Sequence, residues 1–332
     1  MVDMIQWKKW KKALAAASLA ISVGLIAGCG ADKAADGNKT YNIGVVQLVE
    51  HGALDAANRG FVDGLASKGF KDNVKFDQQN AQADQSNLQN IAQRFVNNKV
   101  DLVCAIATPA AQSIANLTNS IPIVATAVTD YEEAKLVESN AKPNTNVTGT
   151  TDMNPIEQQV DLLLRFAPNA KAIGVIYCSS EVNSQKQADI MKAYTESKGI
   201  KVLEATVSTV NDIQQAAQSL VGKVDAIYVP TDNILASAMP TLASITIPAK
   251  LPVVAGADTM VKAGGIATVG IDYYKLGFQT GEMAADILSG KAKPADMAIQ
   301  SQAEMTLTIN EEYAKQIGME IPQDLKQQAG IQ

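Results

Sequence analysis

One pattern limits this chain more than any other: an alternation of strand and helix that runs its course and then starts again. NIGVVQL (42–48) is an almost continuous apolar run, as a strand covered on both faces requires. Leu54, Ala57, Phe61 and Leu65 follow at helical spacing, and Gly69 stops the helix. VKFDQ (74–78) reads as a second strand. Leu88, Ile91, Ala92, Phe95 and Val96 mark a second helix. DLVCAIA and PIVATAV are further strands, separated by a short helix near 109–117. The order restarts at IGVIYC (173–178), which parallels IGVVQL (43–48). Gly44 and Gly69 lie 25 residues apart, as do Gly174 and Gly199. PIVATAV and PVVAGAD begin 130 residues apart, and VDLVCAIAT and VDAIYVPTD begin 124 apart. Two copies of one βαβ unit account for this, so the expected fold is α/β: two doubly wound parallel-sheet lobes with right-handed crossovers.

The joins between the copies are short. NVTGTTD (146–152) leads out of the first copy and IATVGID (266–272) out of the second. Both favour β structure, and neither is a Gly/Ser linker. Asn154-Pro155-Ile156-Glu157 predicts a helix start, with Asn154 as N-cap and Pro155 at the first helical position. Leu276, Met283, Ala284 and Ile287 predict another helix, and a third crossing is expected near Lys293–Met297, before the strand MTLTI. The lobes are therefore expected as 41–149 with about 273–294, and about 150–272 with 295–332, joined by three crossovers.

The first forty residues read as an address. Lys8, Lys9, Lys11 and Lys12 precede an uncharged run from Ala13 to Gly28. As a helix that run reaches about 24 Å, short of the ~30 Å hydrocarbon core, so 1–28 reads as a secretory signal. It ends Ile26-Ala27-Gly28-Cys29, like a bacterial lipobox, which marks Cys29 for lipidation and an extracytoplasmic, membrane-anchored location. Residues 29–40 are small and polar and read as a tether. Cys104 and Cys178 sit in apolar strands and read as buried thiols rather than a disulfide.

Charge and motif content narrow the function. The chain carries a net charge of −6 with no basic block beyond the signal, which argues against nucleic acid. The single histidine, His51, rules out two-histidine zinc sites. No GxSxG, CxxC or GxxxxGK[ST] occurs, so nothing points to an enzyme or a cofactor. Ligands of open α/β sheets bind beyond strand C-termini, which makes the residues there the candidate site. In the first copy these are Leu48, His51, Thr108, Thr126, Thr129 and Asp130; in the second, Tyr177, Glu181, Asn183, Thr231, Asp232, Asn233, Asp258 and Asp272. Thr108 opens a helix and suits a carboxylate. Asp232, Asn233 and Asp258 suit an ammonium. Thr108 and Asp232 hold equivalent places, each eighth in a run counted from Asp101 and Asp225 respectively, so a zwitterion bridging the lobes is expected. Leu48, Tyr131, Tyr177 and Tyr273 lie near strand ends or joins, where an aromatic ligand needs an apolar wall, although core packing is the commoner role of such residues.

QLVEHGALDAANRGFVDGL, IPIVATAVTD, NVTGTTDMNP, IYVPTDN and GIATVGIDYYKLG together resemble the ABC-transporter substrate-binding lipoproteins with tryptophan- and tyrosine-binding members. The resemblance spans nearly all of the chain beyond Tyr41. It implies a type I periplasmic-binding-protein fold whose cleft closes on ligand, an amino acid ligand, aromatic in the familiar members, and a monomer delivering it to a membrane permease and its ATPase. A surface adhesin or signalling receptor on the same fold, or a receptor for another small solute, stays open at this stage.

Overall fold

The computed structural model describes residues 39–331; the signal, Cys29 and most of the tether lie outside them. β1 (Tyr41–Gln47) is buried from Ile43 onward, because neighbouring strands flank it and layers cover both its faces. β2 (Val74–Asn80), β3 (Leu102–Ile106), β4 (Ile123–Val128) and β5 (Val147–Thr151) join it with β11 (Gln300–Ser301) in a sheet of order β11-β5-β4-β3-β1-β2, all parallel. The second sheet runs β12-β10-β9-β8-β6-β7, formed by β6 (Ala172–Cys178), β7 (Lys201–Val207), β8 (Ala226–Val229), β9 (Val253–Ala255), β10 (Ala267–Gly270) and β12 (Thr306–Ile309). Matching each strand of one sheet to its counterpart in the other gives the same order, as the internal repeat requires. One edge departs from the parallel expectation: β12 runs antiparallel to β10.

The helices follow in chain order: α1 (Gly52–Ser67), α2 (Gln85–Asn98), α3 (Thr108–Ala115), α4 (Ile156–Phe166), α5 (Val182–Ser197), α6 (Ile213–Leu220), α7 (Asn233–Ser237), α8 (Met239–Thr246), α9 (Asp258–Gly264), α10 (Tyr273–Leu288), α11 (Glu311–Ile317) and α12 (Gln323–Gln328). Each α1 residue predicted from spacing, Leu54, Ala57, Phe61 and Leu65, is buried. Burying such side chains stabilises by about 1.5–3 kcal/mol for each large one.

α10 follows the second sheet's β10 in sequence but packs along α1, beside the first sheet. Glycines make this close approach possible. Gly60 and Gly64 on α1 meet the Tyr274 and Phe278 carbonyls, while Gly277 and Gly281 on α10 meet the Ala57 and Phe61 carbonyls. The chain thus passes between the sheets after β5, between β10 and α10, and between β11 and β12. The third passage spans 302–305, later than the expected 293–297, because Gln300 and Ser301 still pair with Thr150 and Thr151. The expected N-cap at Asn154 is also corrected. Its side chain donates to the Gly256 carbonyl (3.0 Å), and α4 starts at Ile156 without a side-chain cap. Cys104 and Cys178 are buried free thiols.

Candidate functional site

Strand order reverses beside β1 in the first sheet and beside β6 in the second, and the loops beyond these strands carry the polar residues that meet between the lobes. His51 precedes α1 and donates through Nε2 to Asn233 Oδ1 across the cleft (3.2 Å). The direction follows from Asn233, whose Nδ2 is committed to Glu181 Oε2 (2.5 Å), leaving its oxygen to accept. Burial lowers the imidazole's pKa, which favours the neutral ring, and its buried Nδ1 has no hydrogen-bond partner among the described residues.

Glu181 and Asp232 lie behind Asn233. Glu181 also accepts from Asn183 Nδ2 (3.1 Å) and from the Asn233 and Ile234 backbone N–H groups (both 3.3 Å). Desolvation, then the nearby Asp232 charge, pushes its pKa up to about 8. Asp232 is fully buried, and desolvation raises its pKa too. Its two oxygens take the Leu235 N–H (2.8 Å) and the Cys178 N–H (2.6 Å), which caps α7 and ties that helix to β6.

A second cluster sits at the chain passages. Asp152, just past β5, accepts from Thr129 Oγ1 and from the Tyr273 hydroxyl at 2.8 Å each. Burial is the leading cause of the rise in its pKa. Gln187 on α5 reaches Thr129 Oγ1 (3.4 Å) from the other lobe while holding Thr231 Oγ1 (2.6 Å). At the rim, Lys186 pairs with Asp130 (3.8 Å) and Glu133 (3.4 Å).

A small cavity lies between these clusters. Its polar wall is His51, Asp152, Thr231, Asp232, Asn233 and Tyr273. Its apolar wall is Ala53, Leu54, Ala127, Ala236, Ala257 and Met260. Ala127 takes a left-handed φ of 55° where the β4–β5 register shifts, a strained turn for a residue with a Cβ.

Of the residues expected at the site, His51, Thr231, Asp232 and Asn233 line this cavity. Thr129, Glu181 and Asn183 support it one step back, and Asp130 belongs to the rim pair. The others are placed elsewhere. Leu48 is buried in the core, and Thr126 is buried against Thr150 and bonded to it (3.2 Å). Tyr177 donates to Glu204 (3.0 Å) across β6 and β7. Asp258 pairs with Lys262 (2.6 Å), and Asp272 caps α10 through the Lys275 N–H (3.1 Å). Thr108 follows Ala107, whose φ of 87° begins the turn into α3, and its buried hydroxyl has no hydrogen-bond partner among the described residues. Spacing did not single out Asp152, and it placed Tyr273 no better than at a join. Both are the end or immediate sequel of the two joins, NVTGTTD and IATVGID.

Two lobes of equal topology, a polar cleft between them and chain passages at its base define a two-lobed solute-binding protein. Residues 42–331 match the family described as ABC transporter substrate binding protein, and the chain belongs to it. It is 42% identical over 328 residues to a tyrosine-binding protein of Clostridioides difficile, covering 96% of this chain and 94% of that one. The structure resembles that of an ABC domain in complex with L-Trp from Streptococcus pneumoniae, with a TM-score of 0.85, 42% identity and coverage of 88% and 99%. It resembles less closely the ligand-free, open structure of a substrate binding protein with adhesive properties from Clostridium difficile. There the TM-score is 0.66 at 46% identity, with coverage of 86% and 97%. The fold is of the periplasmic-binding-protein type I class, and the family binds rather than transforms its solutes.

Proposed function

We propose that this chain captures an aromatic amino acid, tryptophan or tyrosine, in the interlobe cleft and delivers it to an ABC permease and its ATPase. The observation that carries the reading is the cavity itself. Buried acids and a free histidine lone pair call for a cationic donor, and an ammonium supplies three N–H groups. Ala53, Ala127, Ala236 and Ala257 keep the opposite wall shallow, and Met260 offers a sulfur, which suits a flat ring. Similarity to a tyrosine-binding relative and to an L-Trp complex supports the same ligand class. The lobes close on ligand. In support, the chain superposes better on the L-Trp complex than on the ligand-free, open relative, although identity to the two is similar. The polar residues bridging the cleft then act as a latch. Cys29 carries the lipid that holds the protein outside the membrane, a reading supported by the lipobox-like IAGC.

Calorimetric titration of the full chain with the common amino acids tests this reading. Tryptophan, tyrosine or phenylalanine is expected to bind more tightly than leucine or alanine. A clear preference for leucine overturns the aromatic assignment, and no binding by any amino acid overturns the reading as a whole.

A further inference from the structure

Among the described residues, three carboxyl groups lie buried around the cleft, and they differ in what already satisfies them. Glu181 takes amide N–H groups from Asn183, Asn233 and Ile234. Asp232 takes two backbone N–H groups at 2.6 and 2.8 Å. N–H donors have no acceptor to offer in return, so Glu181 is enclosed by groups that turn only positive ends inward, while each Asp232 oxygen is already taken by a backbone N–H, with the Ser184 hydroxyl beside them. Asp152 is different. Its two partners, Thr129 and Tyr273, are hydroxyls, and a hydroxyl that donates its proton still keeps lone pairs. Asp152 is 3% exposed and takes part in no ion pair among the described residues. Thr129 Oγ1 also accepts from Gln187 Nε2 (3.4 Å), which leaves it one lone pair, and together with the Tyr273 oxygen this gives Asp152 acceptors as well as donors for neighbours. Among the described residues, the one buried polar atom without a partner on the same cavity wall, His51 Nδ1, is an acceptor as well.

The geometry points to Asp152, held by Thr129 and Tyr273 at the base of the cleft, as the residue that receives the ligand's ammonium group. This assignment rests on the amino-acid reading above and replaces Asp232, Asn233 and Asp258 in that role. Asp232 caps α7, Asn233 is engaged by His51 and Glu181, and Asp258 is paired with Lys262. It also links binding to closure. Thr129 and Asp152 lie at the ends of adjacent strands of one sheet, Tyr273 lies where the chain returns from the other, and Gln187 reaches Thr129 from the opposite lobe. A cation at Asp152 sits where the passages between lobes converge.

The test titrates full-length wild type and Asp152→Asn with L-tryptophan and L-tyrosine, and with indole-3-propionate, which keeps ring and carboxylate but lacks the ammonium. The amide variant keeps the size of the side chain and loses its charge. Losing the charged partner of a buried pair is expected to weaken both amino acids by roughly 30-fold or more. Binding of indole-3-propionate is expected to change by less than about threefold, a difference that a purely structural role does not produce. Equal loss for all three probes, or unchanged amino-acid affinity, overturns the assignment. If Asp152→Asn fails to fold, Tyr273→Phe decides: it weakens L-tryptophan more than indole-3-propionate if the assignment holds, and both alike if it does not. Wild type that binds neither amino acid refutes the parent reading, and this assignment with it, before any variant is made.

Discussion

Gly277→Ala separates packing from intrinsic helix preference because the two predict opposite signs. An alanine inside a helix is ordinarily favoured over glycine by about 0.5–1 kcal/mol. In α10, a Cβ on Gly277 collides with the Ala57 carbonyl oxygen and stands 2.6 Å from the carbonyl carbon and 2.8 Å from the Cα of Ala57. Ordinary contact begins near 3.4 Å, so the helices must part by roughly 1 Å. Backbone cannot rotate aside as a side chain can. Overpacking of this kind costs about 1–3 kcal/mol, and after the helix-propensity gain the net loss is up to about 2.5 kcal/mol. At about 2.1 cal/mol/K of unfolding entropy per residue, that lowers Tm by up to about 4 °C. The same movement disturbs both cleft walls, because α1 begins beside His51 and α10 begins with Tyr273. Calorimetric melting of the full chain, with and without L-tryptophan, reads both effects. A variant that melts at or above the wild-type temperature refutes the close packing of α1 on α10.

The buried acids set the pH response. The folded-state pKa values of Asp152, Glu181 and Asp232 are raised, so the folded state retains protons that the unfolded chain has released, and stability falls as pH rises. For Glu181 this window extends up to about 8. His51 acts in the opposite direction, but only below about pH 6.5, where the unfolded side chain protonates. The unliganded protein is therefore expected to melt at a higher temperature at pH 6.5 than at pH 8, and Glu181→Gln is expected to shrink that difference; a flat or rising profile contradicts the burial argument. Cys29→Ala is expected to release the protein from membranes or leave it uncleaved, as read by fractionation and mass spectrometry of the N-terminus; membrane attachment without lipid removes the anchor assignment.

The fold was legible because its signals are local. Apolar runs such as IGVVQL and IGVIYC became central strands, and the Leu54-Ala57-Phe61-Leu65 stripe became the buried face of α1. The third passage was misplaced because a two-residue strand, Gln300–Ser301, carries no periodicity to read. The site was only half legible. Strand-end position brings His51, Asp232 and Asn233 to one cavity wall, but polarity alone does not reveal that Asp232's oxygens take backbone N–H groups. Asp152 and Tyr273 lie 121 residues apart, and what unites them is that two chain passages meet at one point. Helix α10 itself was found by spacing, yet only Gly277 and Gly281, facing Gly60 and Gly64, explain how closely it lies on α1.

A crystal structure of the chain grown with L-tryptophan tests the central claim most directly. The account predicts one tryptophan between the lobes, its ammonium about 2.7–3.0 Å from a carboxylate oxygen of Asp152 and its ring against the alanine wall and Met260. Tryptophan bound outside the cleft, or a cleft that stays empty at saturating ligand, contradicts it.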